Sequence, residues 1–279
     1  MSAGPSVPPA VVIEPGRPGA GAMAREVAAY RELLYFLAWR DVKVRYKQTV
    51  LGAAWAVLQP LLTMAVFAVF FGYFGRLPSD GLPYPLFAYA ALLPWSLFAS
   101  AVTEASHSIV ANRGLITKVY FPRVIVPLAP LLVALVDFAI AAAILVVLML
   151  LYGVVPGPAI LLAPGFVLLA AVTALGAGAW LSALDVRYRD VRHTIPFLVQ
   201  LWFFATPVAY PASLLPEPWR TLYGLNPMVG AVEGFRWAVL GGARAPGAGL
   251  ALSVAAALAL LAGGLWYFNR AEESFADLA

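Results

Sequence analysis

Six stretches of the chain are nearly free of charge: residues 52–75, 86–106, 124–152, 159–184, 194–211 and 248–268. Most are long enough for an α-helix, which needs roughly 20 apolar residues to cross about 30 Å of hydrocarbon. The pattern predicts six membrane spans. The third stretch is long enough to tilt or to extend past the bilayer. The fifth is short and contains Pro196 and Pro207, residues that a membrane bundle tolerates where neighbours satisfy the freed backbone groups.

Before the first span, residues 25–47 read REVAAYRELLYFLAWRDVKVRYK. Val27, Tyr30, Leu34, Leu37 and Ala38 recur at three- and four-residue spacing, with Arg25, Glu26, Arg31, Glu32 and Arg40 on the other side. This predicts an amphipathic helix over 25–39, of the kind that lies in a membrane interface. VKVRYK alternates with the period of a strand, but a lone strand there has no partner; a continued helix or a break fits better. Residues 1–24, rich in Pro, Gly and Ala, contain no apolar core of a signal peptide and are expected to be a flexible tail. Residues 211–247 are too long for a bare connection; the stretch 226–240 is helical in pattern but too short to cross. Short re-entrant or interfacial helices are expected there.

Composition supports a membrane class. The chain of 279 residues is 62% hydrophobic and 11% charged, and its mean hydropathy is +0.85; soluble domains carry about 25% charged residues. The net charge of +4 is not a nucleic-acid signature, because the cations sit at the ends of apolar runs. With six spans, fourteen of the 18 Lys and Arg fall on one side; only Arg76, Arg220, Arg236 and Arg244 fall on the other. The positive-inside rule then places both termini in the cytoplasm. No cysteine is present, which excludes disulfides and thiolate chemistry.

Catalytic and metal patterns are missing. His107 and His193 are the two histidines, and neither joins an HExxH or other metal-ligand spacing. There is no GxSxG and no GxxxxGK[ST] nucleotide loop. Asp137 stands near the middle of the third span with no second mid-span charge in the sequence. Such a residue reads either as an ion relay or as a carboxylate bonded to a neighbouring helix, and its isolation favours the latter. Glu104 and His107 read as a pair at the membrane edge. The aromatics Tyr73, Tyr84, Trp95, Phe98, Trp202, Phe203, Phe204 and Tyr210 read as an interfacial belt or as a stacking surface for sugar rings along a conduit.

Several motifs together resemble one family. RDVKVRYKQTVLGAAWAVLQP (40–60), LLPWSLFASAVTEASHSIVANRGLITKVYFPRVIVPL (92–128), DVRYRDVRH (185–193), FFATPVAY (203–210), LNPM (225–228) and EESFAD (272–277) occur in this order. The chain is similar to membrane subunits of ABC-2-type transporters, in the branch that exports O-antigen, teichoic acid or capsule glycans. The resemblance implies a homodimer of six-span subunits, each paired with a separate ATPase subunit that carries ATP and Mg, and an undecaprenyl-diphosphate-linked glycan as substrate. This chain itself then has no cofactor. It implies that residues 111–123 form the coupling segment on the ATPase, with Arg113, Leu115, Lys118, Tyr120 and Pro122 at the contact. It implies an external gate in 211–247, with Pro207, Pro211, Asn226, Pro227 and Arg236. Arg40, Asp41, Lys43, Arg45, Tyr46 and Lys47 sit at the junction of interfacial helix and first span, flanked by Trp55, where they orient the chain and are placed to meet an anionic lipid head. An ABC-2 exporter of a small lipid or drug, and an ion-coupled secondary transporter, are the competing readings. The latter asks for coupled intramembrane charges and internal repeats, which the sequence does not offer.

Overall fold

The computed structural model describes residues 20–47, 52–188, 190–241 and 245–272. Gln48–Leu51 of the basic motif, Arg189, Arg244 and most of EESFAD lie outside these residues, as does most of the N-terminal tail. The described residues are mostly helical and contain no strand, as the all-α reading expects. The α-helices are α1 Ala20–Ala29, α2 Arg31–Lys47, α3 Gly52–Phe67, α4 Tyr84–Ala111, α5 Arg113–Ile116, α6 Ile125–Leu151, α7 Ala163–Arg187, α8 Val191–Phe204, α9 Trp219–Tyr223, α10 Pro227–Leu240 and α11 Gly249–Ala271. α3 runs on through a π-helical segment, Ala68–Phe74.

Among the described residues, five helical stretches are long and apolar enough to cross a membrane: Val57–Phe74, Tyr84–Ala111, Ile125–Leu151, Pro158–Arg187 and Gly249–Ala271. The stretch at 194–211 differs from expectation. α8 has 14 residues, about 21 Å of rise, and the chain turns through 205–210. The cause is local: Pro207 brings no N–H to the helix and disfavours helical backbone at Thr206.

α4 forms the centre of the bundle, packed against α7, α6 and α10. α7 and α11 cross closely because glycines face each other: a Cβ added at Gly264 would lie 2.3 Å from the Gly176 carbonyl oxygen. Small residues let membrane helices approach in this way. At one end of the bundle, Met23, Leu37, Ile116, Phe121, Val124, Ala183 and Phe268 share one core. This end gathers the N-terminal helices, the 113–123 segment and the ends of α7 and α11, so the cation-rich segments lie together; it is termed the basic end below. At the opposite end, Leu86, Tyr89, Leu145, Met149, Phe166, Phe235 and Val239 form a second core.

The N-terminal region departs from a simple interfacial helix. The helix begins at Ala20, breaks at Tyr30, and runs unbroken through VKVRYK to Lys47. Leu37 and Ala38 are buried as expected, but Tyr30, Tyr35, Phe36 and Trp39 are exposed. α2 therefore carries apolar surface on two faces, one against the protein and one turned outward. It packs along α6, and pairing with that helix settles the ambiguous VKVRYK stretch as helical.

Candidate functional site

A cavity of about 780 Å³ opens between α3, α4, α6 and α8. Its walls include Trp55, Gln59 and Thr63 of α3, Trp95, Ser96, Ser100 and Thr103 of α4, Phe138 of α6 and Phe203 of α8. Three ionic side chains also line it: Arg45, Glu104 and Asp137. The volume falls in the roughly 300–1,000 Å³ range of ligand pockets, and apolar walls with a few placed polar groups are the usual composition.

Asp137 is a carboxylate bonded to a neighbouring helix, the reading favoured above, but it is not without a charged partner. Arg45 Nη1 donates to Asp137 Oδ2, and Tyr46 Oη donates to Asp137 Oδ1. Arg45 Nη2 lies 3.4 Å from Glu104 Oε1. Asp137 is twelve residues into α6 from Ile125, about 18 Å along the axis. The end of α2 thus climbs the side of α6 and brings a cation to the mid-span acid.

Glu104 and His107 do not pair with each other. His107 Nδ1 lies 3.2 Å from Asp185 Oδ2 on α7, and Glu104 faces Arg45. They are three residues apart on α4, but the neighbouring helices offer better partners: a nearly buried carboxylate for one and a guanidinium for the other. Arg40 bonds its neighbour Asp41 at 2.8 Å. Lys43 and Lys47 are exposed, and Lys43 Nζ stands 5.2 Å from the Trp39 ring.

The eight sequence-predicted aromatics divide into three groups. Trp95, Phe98, Trp202 and Phe203 form one packed cluster, with ring centroids 5.3 Å apart for Trp95–Phe203 and 4.8 Å for Phe98–Trp202. Within it, Trp95 and Phe203 reach the cavity, while Phe98 is fully buried. Tyr84 and Tyr210 brace the turn after α8: Tyr84 Oη donates to the Ala209 carbonyl at 2.6 Å, and Tyr210 Oη donates to the Phe204 carbonyl at 2.9 Å. Tyr73 and Phe204, at 76% and 63% exposure, point away from the bundle.

The predicted gate residues converge on the same turn. Pro207 and Pro211 are buried. Asn226 caps α10 by accepting from the Met228 N–H, and its Nδ2 donates to the Ala205 carbonyl. Its Oδ1 also accepts from Trp202 Nε1 at 2.8 Å. Pro227 fills the first turn of α10, where no N–H is needed. Arg236, counted among the external cations, lies toward the end opposite the basic one and is buried at 1% exposure. It bonds Glu233 at 2.7 Å, donates to the Pro207 and Val208 carbonyls, and lies 3.6 Å from the Phe87 ring centroid.

Residues 32–240 match the ABC-2 type transporter family. The chain belongs to that family. It is 34% identical over 262 residues to the O-antigen export system permease protein RfbA of Myxococcus xanthus, covering 91% of this chain and 98% of that protein. It is 28% identical over 206 residues to the protein of the same description from Klebsiella pneumoniae, covering 74% and 79%. It is 24% identical over 242 residues to the polysialic acid transport protein KpsM of Escherichia coli, covering 84% and 92%.

In this ABC-2 transporter chain the 111–123 segment is short and anchored. α5 and the following turn set Ile116 and Phe121 into the core at the basic end. Arg113, Lys118 and Tyr120 are exposed, Tyr120 at 70%, with Leu115 and Pro122 half-buried. Arg123 closes the segment by bonding the Glu272 carbonyl beyond α11.

Polar cavity residues were missed from the sequence: Gln59, Thr63, Ser96, Ser100 and Thr103. Their spacing carried a usable signal. Gln59 and Thr63 are four apart, and Ser96, Ser100 and Thr103 follow a four-then-three step, which puts each set on one helix face.

Proposed function

We propose that this chain is the transmembrane subunit of an ATP-driven exporter of a lipid-linked polysaccharide. Two copies form the conduit, and two copies of a separate ATPase subunit drive it. The observation that carries the reading is the cavity: aromatic faces at Trp55, Trp95 and Phe203 beside the hydroxyls of Thr63, Ser96, Ser100 and Thr103. Sugar rings present apolar faces that stack on aromatics and hydroxyls that exchange hydrogen bonds. The names of the relatives, O-antigen export permeases and a polysialic acid transport protein, support the same class. In this reading six crossings are completed by α8 with its following turn, and both termini lie in the cytoplasm, where fourteen cations gather. The membrane is the cytoplasmic (inner) membrane, and the carrier lipid is undecaprenyl diphosphate or a close relative. The exposed face of 113–120 seats in the ATPase.

Two measurements test this. Depleting the protein is expected to trap a lipid-linked glycan on the inner leaflet; a surface glycan profile unchanged after depletion overturns the reading. The purified chain alone is expected to hydrolyse no ATP, because it lacks a nucleotide loop; robust turnover without a partner overturns the division of labour.

A further inference from the structure

We infer that the cavity selects an uncharged glycan chain over a polyanionic one, and that Glu104 is the residue that sets this preference. The inference rests on the polysaccharide reading and narrows it. The relatives leave the matter open, since one is described for O-antigen and one for an acidic polymer.

The cavity's ionic lining decides it. Among the described residues that line the space, the charged side chains are Arg45, Glu104 and Asp137, one cation against two carboxylates. Arg45 is engaged by both: Nη1 donates to Asp137 and Nη2 sits 3.4 Å from Glu104. Tyr46 Oη donates to Asp137 as well, so the Asp137 charge is spread over two donors on α2. Glu104 has the weaker, longer contact, and its side chain is 59% exposed. The excess negative charge of the lining therefore resides at Glu104, on the open side of the ion group.

The rest of the lining is neutral. Thr63 and Thr103 of the lining spend their hydroxyl protons on the backbone carbonyls of Gln59 and Ala99, which leaves their oxygens as acceptors. Acceptors beside a carboxylate favour a chain rich in hydroxyl donors. A chain with a carboxylate on each unit meets like charge at Glu104 as it enters the cavity. Like-charge juxtaposition is the usual way a site rejects a wrong partner. Trp55, Trp95 and Phe203 add stacking that does not distinguish charge.

The test uses the full chain with its ATPase partner in cells that make either a neutral polymer or a polyanionic polymer on the same carrier lipid. Surface polymer is measured for both, and the ratio of neutral to polyanionic export is read for the parent and for Glu104→Gln and Glu104→Lys. The parent ratio is expected to exceed about tenfold, the effect of a modest 1.4 kcal/mol difference. It is expected to fall in Glu104→Gln and to fall further in Glu104→Lys. Because both polymers cross the same protein, the ratio is insensitive to how much protein folds. A parent ratio near one overturns the inference while leaving the polysaccharide reading intact, as does a ratio that neither substitution moves. Export of neither polymer by the parent overturns both.

Discussion

Arg45 on α2 and Asp137 at the middle of α6, 92 residues apart in sequence, form an ion pair beside the aromatic cavity. The pair ties the N-terminal region to the bundle at a depth where a lone charge is costly. Its side chains remain 31% and 22% exposed, so its contribution lies below that of a fully buried pair.

Asp137→Ala removes the acceptor for both Arg45 and Tyr46. The expected loss is roughly 1–3 kcal/mol, the cost of stranding partly buried charge-assisted donors. Asp137→Asn keeps an oxygen acceptor and is expected to lose less. Combining Arg45→Ala with Asp137→Ala is expected to cost less than the sum of the two single changes. Thermal unfolding of the detergent-purified protein measures all three; strict additivity would show that the pair is not coupled.

Arg236→Lys gives the second prediction. A planar guanidinium satisfies Glu233, two backbone carbonyls and the Phe87 face at once; an ammonium cannot. Arg236→Ala leaves Glu233 without its counter-charge, and the loss is expected at the lower end of roughly 3–5 kcal/mol. Arg236→Lys is expected to fall between that variant and the parent. An unfolding midpoint for Arg236→Ala equal to that of the parent would remove the residue from the list of fold determinants.

Helices were legible in the sequence and partnerships were not. Uncharged runs of 20 or more residues admit few structures other than helices in lipid, so α4, α6, α7 and α11 could be read directly. The end of α8 was harder, because Pro207 acts through the backbone of Thr206 and not through hydropathy. The Asp137 pairing was invisible for a different reason. Arg45 belongs to a segment read as interfacial, and only the packing of α2 along α6 carries its guanidinium to mid-span. The burial of Arg236 was not legible either, because topology counting treats every cation as solvated, whereas this one is enclosed by the 207–208 carbonyls and Phe87. The polar cavity stripe at Ser96, Ser100 and Thr103 was readable by helical spacing, but small hydroxyls on an apolar helix draw little notice without a cavity in front of them.

The crossing of α7 and α11 gives a steric prediction. Gly264→Val places a branched side chain where even a Cβ would meet the Gly176 carbonyl at 2.3 Å. The backbones must separate, and overpacking of this kind costs roughly 1–3 kcal/mol. The expected result is a lower unfolding midpoint in Gly264→Val and an intermediate one in Gly264→Ala. A midpoint unchanged in both would mean that the crossing relaxes freely.

A pH dependence follows from Glu272. Burial raises its carboxyl above the usual value, partly offset by Arg123. The folded state therefore holds the proton more readily than the unfolded chain, whose glutamates titrate near about 4.3. Stability from this group is present below that value and is lost as pH rises through the raised one. Glu272→Gln is expected to flatten the stability profile across that window, measured by unfolding at stepped pH. A profile identical to the parent would show that another group governs it.

The exposed rim of the 113–123 segment gives the last prediction. Ile116 and Phe121 hold the segment in the core, so changes at Tyr120 or Arg113 touch the surface without loosening the anchor. Tyr120 offers an aromatic face and Arg113 a guanidinium, two groups enriched where proteins meet. Tyr120→Ala and Arg113→Glu are each expected to lower ATP-driven export at least about tenfold, equivalent to 1.4 kcal/mol of lost coupling or docking. Membrane insertion and the unfolding midpoint are expected to stay within the ±0.5 kcal/mol typical of surface changes. Ile116→Ala is the contrasting variant. It cuts into the core at the basic end, and its loss is expected to appear first as instability, about 2–5 kcal/mol. Export that persists in both surface variants, at normal protein levels, would exclude this rim as the place where the ATPase engages.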